Sequence, residues 1–312
     1  MRVRPSLPVA VWMAVAASVG LAACATSPDP KAAGGSAARG HVIPVAASIN
    51  AWGSVAAQLG GDLVSVTSII TNPATDPHDY EPTPTDGRTV ADARLAIENG
   101  VGYDSWFSRA VAANPDPDRA VVDVGRLVGV PADANPHRWY SPADVVRVAD
   151  AVTAELKRLD PDHAASFDSR RSAFATTGLA GYQRLVADIR ERYAGVPVGA
   201  SESLFVPMSD ALGLRLVTPP AFLRAISEGT DPSAADKATI DAQIAGREIE
   251  VYVFDSQNST PDVAAQVEAA KAAGIPVVAI TETLSPASAR FQDWQSAQLT
   301  ALQAALARAT GR

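Results

Sequence analysis

The hydrophobic pattern of this chain switches repeatedly between two periods. Short β-branched or apolar runs at residues 42–47, 63–70, 94–97 and 120–124 read as strands, and residues 52–59, 85–93 and 105–112 read as the helices between them. Ser141-Pro142-Ala143-Asp144 then opens a helix predicted to reach about residue 159: serine at the N-cap, proline at the first helical position, an acid in the first turn. From 161 to 193 the helical period continues without a strand. Phe167, Phe174, Leu185, Val186 and Ile189 alternate with arginine and aspartate faces, which predicts one helix of about 25 to 30 residues after a break near Asp160-Pro161. Beyond it the alternation resumes, with strands expected at 197–200, 214–218, 249–254 and 275–280, helices at 236–245 and 261–273, and a last helix over about 288–308. A βα repeat of this kind implies parallel sheets. The expected fold class is α/β, with two (β/α)-type lobes joined by a long rigid backbone helix.

The N-terminal end departs from this pattern. Arg2 and Arg4 precede an uncharged apolar stretch over 7–23, and Leu21-Ala22-Ala23-Cys24 closes it. That ending resembles a bacterial lipobox, which implies cleavage before Cys24 and acylation of that residue, the chain's only cysteine. A transmembrane anchor or an ordinary secretory signal is the alternative, although the apolar stretch is marginal for a span. Residues 25–40, rich in Ala, Gly, Ser and Pro, read as a flexible tether. The expected domains are therefore a signal peptide over 1–23, a lipidated tether over 24–40, an N-terminal lobe over 41–160, a connecting helix over 161–194 and a C-terminal lobe over 195–312. Loss of 1–23 removes Arg2 and Arg4 and no acid, moving the formal charge from −8 to −10. An acidic chain argues against nucleic acid as partner and suits cations.

Four potential metal ligands, His78, His137, Glu202 and Asp255, each follow a short apolar run and stand in turn-like contexts. They are separated by 59, 65 and 53 positions (78 to 137, 137 to 202, 202 to 255), so only a folded, multi-loop structure brings them together. Two of them share a local grammar. Asp76-Pro77-His78-Asp79-Tyr80-Glu81-Pro82 and Asn135-Pro136-His137-Arg138-Trp139-Tyr140 both use proline to fix a loop that aims a histidine. The alternative is a surface or capping role for each histidine, a helix cap for Glu202 and a turn start for Asp255. Asp79 and Glu81 are candidates for orienting His78 or for solvated loop acids, and Trp139 is a candidate wall of the site or ordinary core. His41 and His163 read as solvent-exposed bystanders.

These two loops, the long central helix and the lipobox together resemble the metal-binding solute-binding lipoproteins of zinc and manganese ABC importers, cluster A-I. The resemblance covers nearly all of the chain after Cys24. It implies that His78 and His137 are ligands from the first lobe, that Glu202 stands where zinc members usually carry histidine, and that Asp255-Ser256 supplies the fourth ligand. A glutamate in that place matches manganese-type members, and carboxylates favour harder ions. It leans the reading toward Mn2+. Zinc accepts the same four side chains and stays open.

The function implied is capture of one divalent transition metal, Mn2+ or Zn2+, by a lipid-anchored protein on the outer face of a bacterial membrane, and delivery to an ABC permease. It would be a monomer without catalytic residues. The rivals are a lipid-anchored metallohydrolase, with Glu81 or Glu202 as general base, and a surface adhesin. Against the metallohydrolase, no His-Glu-x-x-His helix occurs; a serine hydrolase is weaker still, because Gly199-Ala200-Ser201-Glu202-Ser203 lacks the second glycine of a nucleophile elbow.

Overall fold

The computed structural model describes residues 42–74, 76–258 and 260–312. The signal segment, Cys24, the tether and His41 lie outside the described residues. Those described belong to one compact unit that holds two four-stranded sheets, every strand pairing parallel.

In chain order the first half comprises β1 (Ile43–Ile49), α1 (Asn50–Gly60), β2 (Val64–Ile70), α2 (Pro84–Asp92), β3 (Leu95–Glu98), α3 (Ser105–Ala113), β4 (Ala120–Asp123), α4 (Val124–Val128) and α5 (Pro142–Leu159). Next come α6 (Ala164–Ala173) and α7 (Ala180–Tyr193). The second half has β5 (Pro197–Ala200), α8 (Val206–Leu212), β6 (Arg215–Leu216), α9 (Pro220–Ser227), α10 (Ala234–Ala245), β7 (Val251–Asp255), α11 (Pro261–Ala272), β8 (Val277–Ile280) and α12 (Phe291–Thr310). The sheet orders are β2-β1-β3-β4 and β6-β5-β7-β8, the same winding twice. In such a sheet the loops at the carboxyl ends of the strands, next to the point where the order reverses, form the natural binding crevice.

Proline and serine punctuate the helices as their chemistry requires. Pro84, Pro142, Pro220 and Pro261 each begin a helix, where a missing N–H costs nothing. The Ser141 hydroxyl accepts the Asp144 N–H to cap α5. Close packing suits Gly53: a Cβ there would sit 2.0 Å from Ser68 Oγ and 3.3 Å from Ser68 Cβ, so glycine lets α1 lie against β2 without turning the serine.

Three expectations need adjustment. The strand expected over 214–218 shrinks to the two residues of β6, because Pro219 and Pro220 follow and cannot donate to a ladder. Residues 220–227, where the periodicity predicts no element, form helix α9, whose Phe222, Leu223 and Ile226 are buried. The long helix is present, 33 residues from Pro161 to Tyr193, but it is not uniform. Over Phe174–Gly178 it widens into a π turn, with the Leu179 N–H reaching Phe174 O at 2.8 Å.

The long helix is not the only tie between the halves. After β8 the chain crosses back onto the first half. The Leu284 N–H donates to Asn50 Oδ1 (3.1 Å), the Phe291 N–H to Ser54 Oγ (2.9 Å) and Gln292 Nε2 to Gln58 Oε1 (2.7 Å), all on α1. Trp294 meets Tyr140 edge-on at 5.9 Å, and Phe291 meets Tyr182 of α7 at 6.1 Å. These side chains are buried, so the seam is an apolar core with polar ties.

Candidate metal centre

Both histidine loops are built the same way. The Asp76 carboxylate accepts the His78 N–H at 2.9 Å, and the Asn135 side-chain oxygen accepts the His137 N–H at 3.0 Å, each across one proline. An acceptor side chain two residues before the histidine folds the loop into a tight turn without help from a sheet. Short 3-10 turns follow, Pro77–Asp79 and Arg138–Tyr140. The Arg138 guanidinium, bonded to Asp144 in the first turn of α5, anchors the second loop. His78 follows β2, and His137 lies in the connection between α4 and α5.

The second half contributes acids. Glu202 stands two residues past β5, Asp255 is the last residue of β7, and Glu282 stands two residues past β8. All three are buried, at 2 %, 0 % and 0 % exposure, and burying three carboxylates together is costly unless something of opposite charge compensates. Each holds one oxygen in a fixed bond. Glu202 Oε2 accepts from Asn258 Nδ2 (3.1 Å), Asp255 Oδ1 from the Gln257 N–H (2.9 Å) and Glu282 Oε2 from the Tyr103 hydroxyl (2.9 Å). The remaining oxygens, Glu202 Oε1, Asp255 Oδ2 and Glu282 Oε1, are buried without a hydrogen-bond partner.

Glu282 is the hub. Its Oε1 lies 3.4 Å from His78 Nε2 and its Oε2 lies 3.5 Å from His137 Nε2, while the two Nε2 atoms are 3.3 Å apart. A tetrahedral shell with bonds of about 2.0 to 2.1 Å has edges of about 3.3 Å. The three distances are those of donor atoms around one small cation. Glu202 Oε1 comes within 4.0 Å of His137 Nε2. Glu202, Asp255 and Glu282 make a second group whose oxygens lie within 4.8 Å of one another.

The electrostatics fit that arrangement. Burial, first, and the neighbouring Asp255, Glu282 and Asp76 charges, second, push the Glu202 carboxyl well above its ordinary range; burial and Glu282 do the same to Asp255. Burial also lowers His137, keeping it neutral and able to donate a lone pair, against the pull of Glu282. Burial alone would raise Glu282, but His78, His137 and the Tyr103 hydroxyl outweigh it and hold it low.

The sequence-predicted residues are thus brought together, with one missed and several displaced. His78 and His137 converge on Glu282, while Glu202 and Asp255 form with Glu282 the second group, Glu202 coming within 4.0 Å of His137 Nε2. Glu202 makes no capping bond to the turn after it. Glu282 was missed although it obeys the rule that selected the others, an acid just past a short apolar strand. Asp79 and Glu81 are exposed and outside the cluster, and the residue that steadies the His78 loop is Asp76. Trp139 is both core and wall: it is fully buried, with its ring 5.3 Å from that of His137. His163 is half-buried rather than free in solvent, its Nδ1 2.7 Å from Asp160 Oδ2. A cleft of about 630 Å³ opens beside the cluster, lined by His78, Tyr103, Asn135, Ser203 and Ser227 among others.

Residues 45–305 match the family described as zinc-uptake complex component A, periplasmic (ZnuA). The chain belongs to the ZnuA family. ZnuA-family proteins are solute-binding transport components, which removes the hydrolase reading. Among curated relatives, the iron-binding protein YfeA of Yersinia pestis is 31 % identical over 150 residues, 46 % of each chain. The manganese-binding lipoprotein MntA of Halalkalibacterium halodurans is 27 % identical over 193 residues, 59 % of this chain and 62 % of the relative. The chain therefore matches about half to three fifths of the length of these relatives. A crystal structure of ZnuA superposes with a TM-score of 0.67 at 22 % identity, covering 86 % of this chain and 99 % of that one. A manganese-bound periplasmic metal-binding protein (S38A mutant) from Candidatus Liberibacter asiaticus gives 0.69 at 19 %, covering 84 % and 98 %. At those identities the structural likeness establishes the ZnuA fold.

Proposed function

We propose that this protein captures one divalent transition metal ion from the extracytoplasmic space and delivers it to the permease of an ABC importer, anchored to the membrane through acylated Cys24. The two sheets and their helices act as lobes, 41–160 and 195–312, joined by the connector 161–194. The ion is the cargo. His78, His137, Glu202 and Glu282 are its donors, and Asp255 stands beside the last two as a further carboxylate. The observation that carries this reading is the convergence of His78 Nε2, His137 Nε2 and the Glu282 carboxylate at ligand-shell spacing, with partnerless buried oxygens on three acids around them.

The donor set favours a borderline-hard ion, Mn2+ or Fe2+, over a strictly four-coordinate Zn2+ site, because carboxylates can use both oxygens to raise the coordination number. Affinity alone does not reveal the physiological cargo, since zinc binds most such sites more tightly than manganese. The test is elemental analysis of purified protein followed by Mn2+ and Zn2+ titrations of wild type, Glu202→Ala and Glu202→His. One bound equivalent, lost in the alanine variant and shifted toward Zn2+ in the histidine variant, supports the proposal; wild-type protein that binds neither ion overturns it.

A further inference from the structure

Asn135 touches both halves of the site with one amide. Its Nδ2 donates to the Ser203 carbonyl at 2.6 Å, its Oδ1 accepts the His137 N–H at 3.0 Å, and the same Oδ1 lies 2.9 Å from His137 Nδ1. The Ser203 carbonyl is an acceptor only, so the amide nitrogen must face it and the amide oxygen must face the imidazole. An acceptor 2.9 Å opposite Nδ1 favours the proton of neutral His137 there over Nε2, whose nearest acceptors, His78 Nε2 and a Glu282 oxygen, lie farther off at 3.3 and 3.5 Å. That leaves the Nε2 lone pair directed at His78 and Glu282. Ser203 directly follows Glu202, so the bond to its carbonyl also fixes the backbone that carries a ligand of the other half.

We propose that Asn135 is a positioning residue that sets the tautomer of His137 and, through the Ser203 carbonyl, couples the His137 and Glu202 ligands across the cleft. The proposal rests on the metal-binding reading above for its consequence, but its first observable does not need metal. The neighbouring hydroxyls complete the picture. Ser203 Oγ lies 3.3 Å from His137 Nδ1 and 2.7 Å from Ser227 Oγ, which makes it the competing acceptor. At 3.3 Å it is the weaker of the two, and its own hydroxyl is engaged with Ser227.

The two functions of the amide separate in two substitutions. Asn135→Leu removes both; Asn135→Asp keeps an acceptor for Nδ1–H but turns a second oxygen toward the Ser203 carbonyl. Nitrogen-15 histidine spectra of metal-free protein, with His137 assigned by its absence in His137→Gln, should show Nδ1 protonated in wild type and in Asn135→Asp. In Asn135→Leu, or Asn135→Ala where the leucine variant does not fold, Nε2 should become protonated in a large fraction of molecules. Mn2+ and Zn2+ titrations should then show affinity lower by about 10- to 100-fold, the usual effect of removing a ligand's supporting partner. Asn135→Asp should hold the tautomer and release metal faster than wild type. An Nε2-protonated wild type overturns the tautomer assignment; a tautomer unchanged by loss of the amide overturns the role of Asn135 in setting it and passes that role to Ser203. Wild-type release rates in Asn135→Asp overturn the coupling. Failure of wild type to bind either ion would refute the proposed function while leaving the metal-free tautomer result intact.

Discussion

At the scale of the residue, the site concentrates more negative charge than its surroundings can solvate, and a cation resolves that excess. Glu282→Gln removes the charge shared between His78 and His137 and should lower metal affinity by more than about 100-fold, beyond the range that loss of a supporting hydrogen bond produces. Isothermal titration against Mn2+ reads this directly. The pH dependence follows from the raised carboxyls. Protons held by Glu202 and Asp255 stabilise the metal-free fold at and below the ordinary carboxylate range, and that stabilisation is lost as pH rises through their raised values. A bound cation takes the place of those protons. Binding should therefore release protons into solution and strengthen as pH rises, and Asp255→Asn should reduce the number released, as measured by titration in buffers of different ionisation enthalpy. The histidines were legible in the sequence because proline and an Asx residue fix their loops locally. Glu282 carries the same local signal, an acid just past a short apolar strand, but no proline or Asx loop marks it, and its partner Tyr103 is 179 positions away.

At the scale of the element, most helices could be read from the period of one buried face, and the central strands from short apolar runs, since β1, β3 and β7 are buried on nearly every residue. The failures have local causes. Arg215–Leu216 is an edge strand cut short by two prolines, and α9 was hidden by the same prolines, which read as loop when they in fact start a helix. The π turn at Phe174–Gly178 leaves no trace in the hydrophobic period, which merely pauses there. Two substitutions test the local account. Ser141→Ala removes the cap of α5 and should cost about 1 kcal/mol in urea unfolding. Gly53→Ala should cost less, because the Ser68 hydroxyl can rotate off the added methyl, leaving a 3.3 Å approach to Ser68 Cβ that the gain in helix propensity offsets.

At the scale of the molecule, the two halves are tied outside the cleft by the long helix and by the return of residues 284–294 onto α1. Two connections with an apolar seam leave little room for a wide hinge, and metal capture should proceed by a small tilt of the lobes together with side-chain movement at the cleft. Small-angle scattering should accordingly show nearly the same radius of gyration with and without metal. Phe291→Ala, which opens the seam beside Ser54 and Tyr182, should destabilise the whole protein by about 3 to 5 kcal/mol in a single transition rather than free one half. The repeat of one sheet order in both halves is set by contacts distant along the chain, which a local hydrophobic period does not record.

The most direct measurement is anomalous diffraction from crystals of the Mn2+-loaded protein at the manganese edge. The account predicts one strong peak within bonding distance of His78 Nε2, His137 Nε2, Glu202 and Glu282. A peak elsewhere, or loaded protein with Glu282 turned away from the ion, would contradict it.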